Sequence, residues 1–142
     1  MMESNAIEGL SHITFVVSDL ERTSIFLSTI FDAEEVYASG DKTFSIAKEK
    51  FFLINDLWIA IMEGKSLPEK TYNHIAFKIA DRDFEKYHLR VSSLGLEFRE
   101  SRTRIEYEGR SLYFYDYDNH LFELHTGTLD HRLAAYNLPP ML

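Results

Sequence analysis

The chain contains two copies of one pattern. Gly9 precedes the run Leu10-Ser-His-Ile-Thr-Phe-Val-Val17, and Tyr72-Asn-His-Ile-Ala-Phe-Lys-Ile79 repeats it with a histidine in the same slot. A repeat of this length means that each copy is one supersecondary unit, so the elements after the first strand should recur too. In the first copy Ser18 or Asp19 supplies an N-cap and Leu20 to Phe31 carries apolar residues at helical spacing. In the second, Asp81 or Asp83 caps a helix whose apolar face is Phe84, Tyr87, Val91 and Leu94, and Gly95 ends it. A short strand comes after each helix, Glu34 to Ala38 and Leu96 to Arg99. Next comes a set of strands: Thr43 to Ile46 or a little beyond, Phe51 to Ile54 and Leu57 to Met62 in the first half. In the second half these are Ser111 to Tyr115 and Leu121 to His125, joined by the turn Asp116-Tyr-Asp-Asn119.

Each half thus reads β-α-β-β-β, with a sheet face that it cannot cover alone. The expected fold is α+β: paired βαβββ modules, about 9–63 and 71–127, forming a cupped, partly closed mixed sheet in a single domain of 142 residues. The modules pair within one chain or between two, an alternative the pattern leaves open. Glu63 to Lys70, with Gly64 and Pro68, is the expected linker, and a helix from Thr128 to Tyr136 closes the chain before Pro139-Pro140. Phe44, Phe51, Phe52, Phe77 and Phe114 are expected in the core.

Composition narrows the chemistry. Lys plus Arg number 15 against 23 Asp plus Glu, a formal charge of −8, which argues against nucleic acid as a partner. The absence of cysteine excludes disulfides, thiolate nucleophiles and Cys-ligated metals, so any metal must sit on His, Asp or Glu. No apolar run approaches the ~20 residues of a membrane span. Met1 to Glu8 has neither a basic flank nor an apolar stretch, so a cytoplasmic protein is expected.

His12 and His74 hold the same slot in repeated strands and should face corresponding surfaces. A lone strand histidine is ordinarily a hydrogen-bonded core or surface residue; the repetition is what raises these two. Glu123 lies between apolar neighbours that point the other way, and a carboxylate on a core-facing slot needs a partner. Overlaying Gly64 on Gly127 sets Ala60 opposite Glu123, so the first half offers one ligand and the second two. Two imidazoles and a carboxylate leave coordination positions open, as a catalytic Mn²⁺, Fe²⁺, Co²⁺, Ni²⁺ or Zn²⁺ requires. His88, His120 and His131 carry less weight, and His125, on the strand face of Glu123, is at most an outer-shell partner.

The segments Gly9-Leu-Ser-His-Ile-Thr14, Leu57-Trp-Ile59, Tyr72-Asn-His-Ile-Ala-Phe77, Gly109-Arg-Ser-Leu-Tyr-Phe-Tyr-Asp116 and Asp118-Asn-His-Leu-Phe-Glu-Leu-His-Thr-Gly127, in that order, resemble the vicinal oxygen chelate superfamily and within it the fosfomycin-resistance proteins. The resemblance covers nearly the whole chain. It implies a homodimer whose metal site combines modules of both subunits, with His12, His74 and Glu123 as ligands of a divalent ion, commonly Mn²⁺. The substrate it implies is the phosphonate epoxide fosfomycin. Two branches of these proteins add a thiol to the oxirane and the third, the FosX type, adds water. Ala47-Lys-Glu-Lys-Phe-Phe52 is similar to the segment carrying the base of the water branch, with Glu49 as that base. Thr14, Ser111, Tyr113 and Arg132 match positions that resemble phosphonate contacts.

Chemistry supports the same choice. Water is a poor nucleophile at neutral pH and needs a base within ~3 Å, whereas a thiolate needs none. Against this, Glu49 between Lys48 and Lys50 also reads as a solvated charge at a hairpin end. Arg99, Arg102, Arg104 and Arg110 form a basic stretch, of which one or more, Arg99 first, is expected to replace a lysine of the thiol branch. Thr103 to Glu108 does not reproduce that branch's potassium loop, so no monovalent cation is expected. Trp58 is a candidate substrate contact, with core packing as its ordinary alternative. Two other readings stay open: a thiol transferase on the same metal and substrate, and a drug-sequestering protein of the same fold.

Overall fold

The structure, a computed structural model, describes residues 5–42, 44–100 and 108–137. The chain divides into two compact units, 1–64 and 65–142.

Unit 1 runs β1 (His12–Val17), α1 (Leu20–Phe31), β2 (Glu34–Ala38), β3 (Glu49–Ile54) and β4 (Leu57–Glu63), with sheet order β1-β4-β3-β2. The β1–β4 pair is parallel and the other two are antiparallel. Helix α1 starts where the Asp19 carboxylate accepts the Arg22 N–H, a cap worth about 1 kcal/mol. It ends at Asp32, which turns left-handed with φ 53° and donates its N–H to the Leu27 carbonyl. Its Phe26, Leu27 and Ile30 are buried, as are Val17, Phe52, Ile59 and Ile61 of the sheet.

Unit 2 repeats the order: β5 (His74–Lys78), a 3₁₀ turn at Asp81–Asp83, α2 (Phe84–Ser93), β6 (Phe98–Arg99), β7 (Ser111–Tyr115) and β8 (Leu121–His125), then α3 (Leu129–Tyr136). Its sheet order is β5-β8-β7-β6, the same arrangement as in unit 1. The β7–β8 turn is built on Asp116, whose Oδ1 accepts the N–H groups of Asp118 and His120. The segment after Gly64 is fixed to that turn: Ser66 Oγ donates to Asp118 Oδ1 at 2.5 Å, and Asn119 Nδ2 to the Leu67 carbonyl.

The repeat is carried into the register. His12 pairs with Trp58 and Thr14 with Ala60, while His74 pairs with Leu121 and Ala76 with Glu123. Ala60 and Glu123 therefore hold corresponding slots, as the overlay of the two halves requires. One strand departs from expectation. Residues 44–47 form bends, because the β2–β3 pairing starts only at Ala38 opposite Lys50 and leaves them in the connecting loop. Phe44 is accordingly 86% exposed, outside the core it was expected to join. Phe52 and Phe114 are buried, and Phe51 and Phe77 are half-buried. Among the described residues no helix is long and apolar enough to cross a membrane.

Candidate active site

Residues directly opposite each other on adjacent strands point to the same face of a sheet. In unit 1 this places His12, Thr14, Trp58, Ala60 and Met62 on one face, and the β3–β4 register adds Glu49 and Phe51 to it. In unit 2 the same rule gathers His74, Glu123, His125, Ser111, Tyr113 and Arg99 on one face. Alternation along the strands sends Ile59 and Ile61, or Phe122 and Leu124, to the opposite, buried face. Every expected site residue except Arg132 thus lies on one of two corresponding faces.

In unit 2 the Glu123 carboxylate is 4% exposed and held from two sides. Ser111 Oγ donates to its Oε2 at 2.6 Å, and His74 Nε2 stands 3.0 Å from its Oε1. The other ring nitrogen, His74 Nδ1, lies 2.7 Å from the Tyr72 carbonyl. A carbonyl only accepts, so Nδ1 carries a hydrogen and Nε2 is the ring atom turned to Glu123. An imidazole nitrogen and a carboxylate oxygen at this distance can share a proton or, as neutral imidazole and carboxylate, a cation. An imidazole fixed through its far nitrogen by a carbonyl is also the usual arrangement of a metal-binding histidine. The donor set fits a divalent ion. The rings of Tyr72 and Tyr113 flank His74, with centroids at 4.9 and 5.4 Å, and the two phenols are hydrogen-bonded at 3.1 Å.

In unit 1 His12 stacks on Trp58, with ring centroids 4.1 Å apart and planes at 27°, and Ser11 Oγ lies 3.0 Å from its Nδ1. Trp58 is therefore on the site face beside a candidate ligand. Its indole Nε1 is buried with no hydrogen-bond partner. Among the described residues no three His, Asp or Glu side chains are arranged to hold an ion, so neither unit completes a ligand set by itself.

Glu49 is 9% exposed, not the solvated charge that its lysine neighbours suggest. Strand alternation separates it from Lys50, while Lys48 lies just before the strand. Lys50 points to the opposite face and pairs with Glu21 at 2.7 Å and Glu35 at 2.9 Å. Burial lowers the pKa of that ammonium, but the two carboxylates outweigh it and hold it above its usual value. Lys48 pairs with Asp41 at 3.3 Å. The backbone of Glu49 is pinned twice by Ser39: its N–H donates to Ser39 Oγ and its carbonyl accepts the Ser39 N–H, both at 3.0 Å. A cavity of about 490 Å³ reaches Glu49 from the N-terminus of α1, lined also by Asp19, Ser39 and Glu63.

The arginines differ. Arg132 lines a cavity of about 220 Å³ with His125, Gly127 and Thr128 at the start of α3, its Nε 3.6 Å from the buried Glu108. Arg99 donates to Tyr115 Oη at 2.8 Å and lies 5.0 Å over the Tyr72 ring, next to His74. Arg110 is committed to Asp81 at 2.9 Å and to the Phe84 ring. Arg102, Arg104 and the segment 101–107 lie outside the described residues. His120 is tied to Asp116 at 2.8 Å and His88 stacks on Phe98, while His131 is exposed on α3. Sequence reasoning missed Tyr72 and Ser39. The position of Tyr72 two residues before His74 was a usable signal; Ser39, ten residues from Glu49, gave none.

Three comparisons bear on this geometry. The model of the Glyoxalase/Bleomycin resistance protein/Dioxygenase superfamily matches residues 9–124. The fosfomycin resistance protein FosX of Listeria innocua is 63% identical over 131 residues, 92% of this chain and 98% of that protein. FosX of Mesorhizobium japonicum is 63% identical over 128 residues, 90% and 92% of the two chains. A crystal structure of a mutant FosX from Listeria monocytogenes, complexed with Mn(II) and 1S,2S-dihydroxypropylphosphonic acid, superposes with a TM-score of 0.85 at 57% identity, covering 92% of this chain and 99% of that one.

Proposed function

The chain belongs to the glyoxalase/bleomycin resistance protein/dioxygenase superfamily, and from that premise we infer that it is a Mn²⁺-dependent epoxide hydrolase, giving resistance to fosfomycin by opening its oxirane with water to a vicinal diol phosphonate. Its α+β fold is that of the superfamily. The observation that carries the assignment of residues is the buried Glu123 carboxylate facing His74 Nε2, with the far nitrogen of that ring held by the Tyr72 carbonyl. In this reading His12, His74 and Glu123 hold the ion. Bound there, a divalent ion supplies Lewis-acid activation of the oxirane oxygen and anchors the phosphonate.

The chain's own groups do the rest. Glu49 takes a proton from the attacking water as the new C–O bond forms and the oxirane C–O bond breaks; the alkoxide takes a proton from solvent, Glu49 gives its own up to solvent, and the product is the diol. Thr14, Tyr113, Arg99 and Arg132 supply hydroxyls and positive charge to the phosphonate, Ser111 is not a donor to it because its one hydrogen goes to Glu123, and Trp58 borders the site beside His12. Holding the epoxide in line with the water is their contribution to rate. Phosphorus NMR of fosfomycin incubated with the Mn²⁺ protein, with and without glutathione, should show the diol phosphonate at equal rates in both samples. A thiol adduct would make the protein a transferase, and fosfomycin returned unchanged by a protein that binds no Mn²⁺ would favour sequestration.

The protein acts as a homodimer in this reading, both βαβββ units of each protomer contributing. Each site draws His12 from one protomer and His74 with Glu123 from the other. What supports this is that His12 and Thr14 on the first face, and His74 on the second, are exposed in the single chain. Mixing inactive His12→Ala protein with inactive Glu123→Gln protein should then restore activity, because one of the two sites in each mixed dimer takes both intact parts. At equal amounts about a quarter of the wild-type rate is expected. No recovery after subunit exchange would place all three ligands of a site in one chain.

A further inference from the structure

We propose that His125 is a positioning residue for the Glu123 carboxylate, acting through the Ser111 hydroxyl. The inference rests on reading Glu123 as a metal ligand. His125 is two residues beyond Glu123 on the same face of β8 and directly opposite Ser111 on β7. Its Nδ1 lies 2.8 Å from Ser111 Oγ and 3.6 Å from Glu123 Oε2, with the side chain 12% exposed.

With Glu123 ionised, as a metal-ligating carboxylate is, the hydrogens take one placement. Ser111 has a single hydroxyl hydrogen, and an ionised carboxylate only accepts, so the 2.6 Å contact to Glu123 uses that hydrogen. Ser111 Oγ must then accept from His125 Nδ1–H. The result is a directed chain, His125 to Ser111 to Glu123 Oε2, in which each donation polarises the next. It fixes one carboxylate oxygen and leaves Oε1 turned towards His74.

Two further observations bear on this arrangement. A Cβ on Gly127 would stand 2.7 Å from His125 Nε2 and 2.5 Å from the Glu108 carbonyl, so the ring packs closely against a corner that the backbone already reserves for glycine. The corresponding slot of unit 1 is Met62, opposite Glu49. The β-hairpin itself therefore does not call for histidine; the unit that carries the carboxylate ligand does.

The test is Mn²⁺ affinity, read from the electron paramagnetic resonance signal of free Mn²⁺ titrated with metal-free protein. His125→Phe keeps a ring and removes the donor, and it should weaken binding about 10- to 100-fold. His125→Asn returns an N–H near the place of Nδ1–H and should bind within about threefold of wild type. Wild-type affinity in His125→Phe overturns the proposal, as does equal weakening in both variants. Should His125→Phe fail to fold, Ser111→Ala breaks the same chain from its middle, and wild-type affinity there is equally fatal. Glu123→Gln is the control for the underlying reading: if it binds Mn²⁺ as wild type does, Glu123 is not a ligand. If it loses Mn²⁺ while His125→Phe does not, only the positioning role fails.

Discussion

Glu49→Gln should slow fosfomycin hydration by about 10²- to 10⁴-fold, the usual contribution of a general base, while Mn²⁺ affinity stays within about twofold. Glutamine keeps the shape of the side chain and its hydrogen-bonding reach but cannot take a proton from water. The two bonds joining Ser39 to the backbone of Glu49 do not involve the substituted atoms, so the strand start should persist. The lysines on either side pair with Asp41, Glu21 and Glu35, so the substitution leaves those pairs in place. Phosphorus NMR time courses give the rate and manganese titration the affinity. A variant that hydrates at a near-wild-type rate would remove Glu49 as the base.

Glu123→Gln should act on the other half of the chemistry. Loss of one of three ligands is expected to weaken Mn²⁺ binding by at least ~100-fold, the upper end of what outer-shell changes cost. Without metal, the variant should be no less stable than wild type. In wild type Glu123 is a carboxylate 4% exposed, and a neutral isostere escapes the desolvation that burying a charge entails. Thermal unfolding separates the two effects: wild type gains stability as Mn²⁺ is added, by mass action on the folded state, and the variant should not. A variant with an undiminished manganese-induced rise in Tm would argue that the carboxylate lies outside the coordination sphere.

The elements of both units arise from patterning that any strand or helix must obey. Leu20–Phe31 is a helix between the expected ends because Asp19 caps it and its apolar residues recur at helical spacing. The slot equivalence of Ala60 and Glu123 was readable because strand registers repeat when the units do. The stretch around Phe44 was not, since an alternation of apolar residues looks alike in a strand and in an exposed loop; pairing with Ala38 begins only at Lys50. Within the site, residue types and faces were accessible and partners were not. That Ser111 gives its hydrogen to Glu123, or that Tyr72 fixes the ring of His74, depends on distances no spacing rule supplies. For Glu49 the lysines beside it misled local charge reasoning, because neighbours in sequence point apart on a strand.

Opposite Met62 in one sheet stands Glu49, and opposite His125 in the other stands Ser111. One scaffold position thus occurs in two versions: in the proposed reading one is the proton acceptor and the other a hydroxyl that steadies a ligand. The second copy carries serine at the equivalent place. Glu49→Ser would retire the base with the residue that the other copy carries at this place, and a protein so altered would have to rely on a nucleophile that arrives already ionised, a thiolate in place of water.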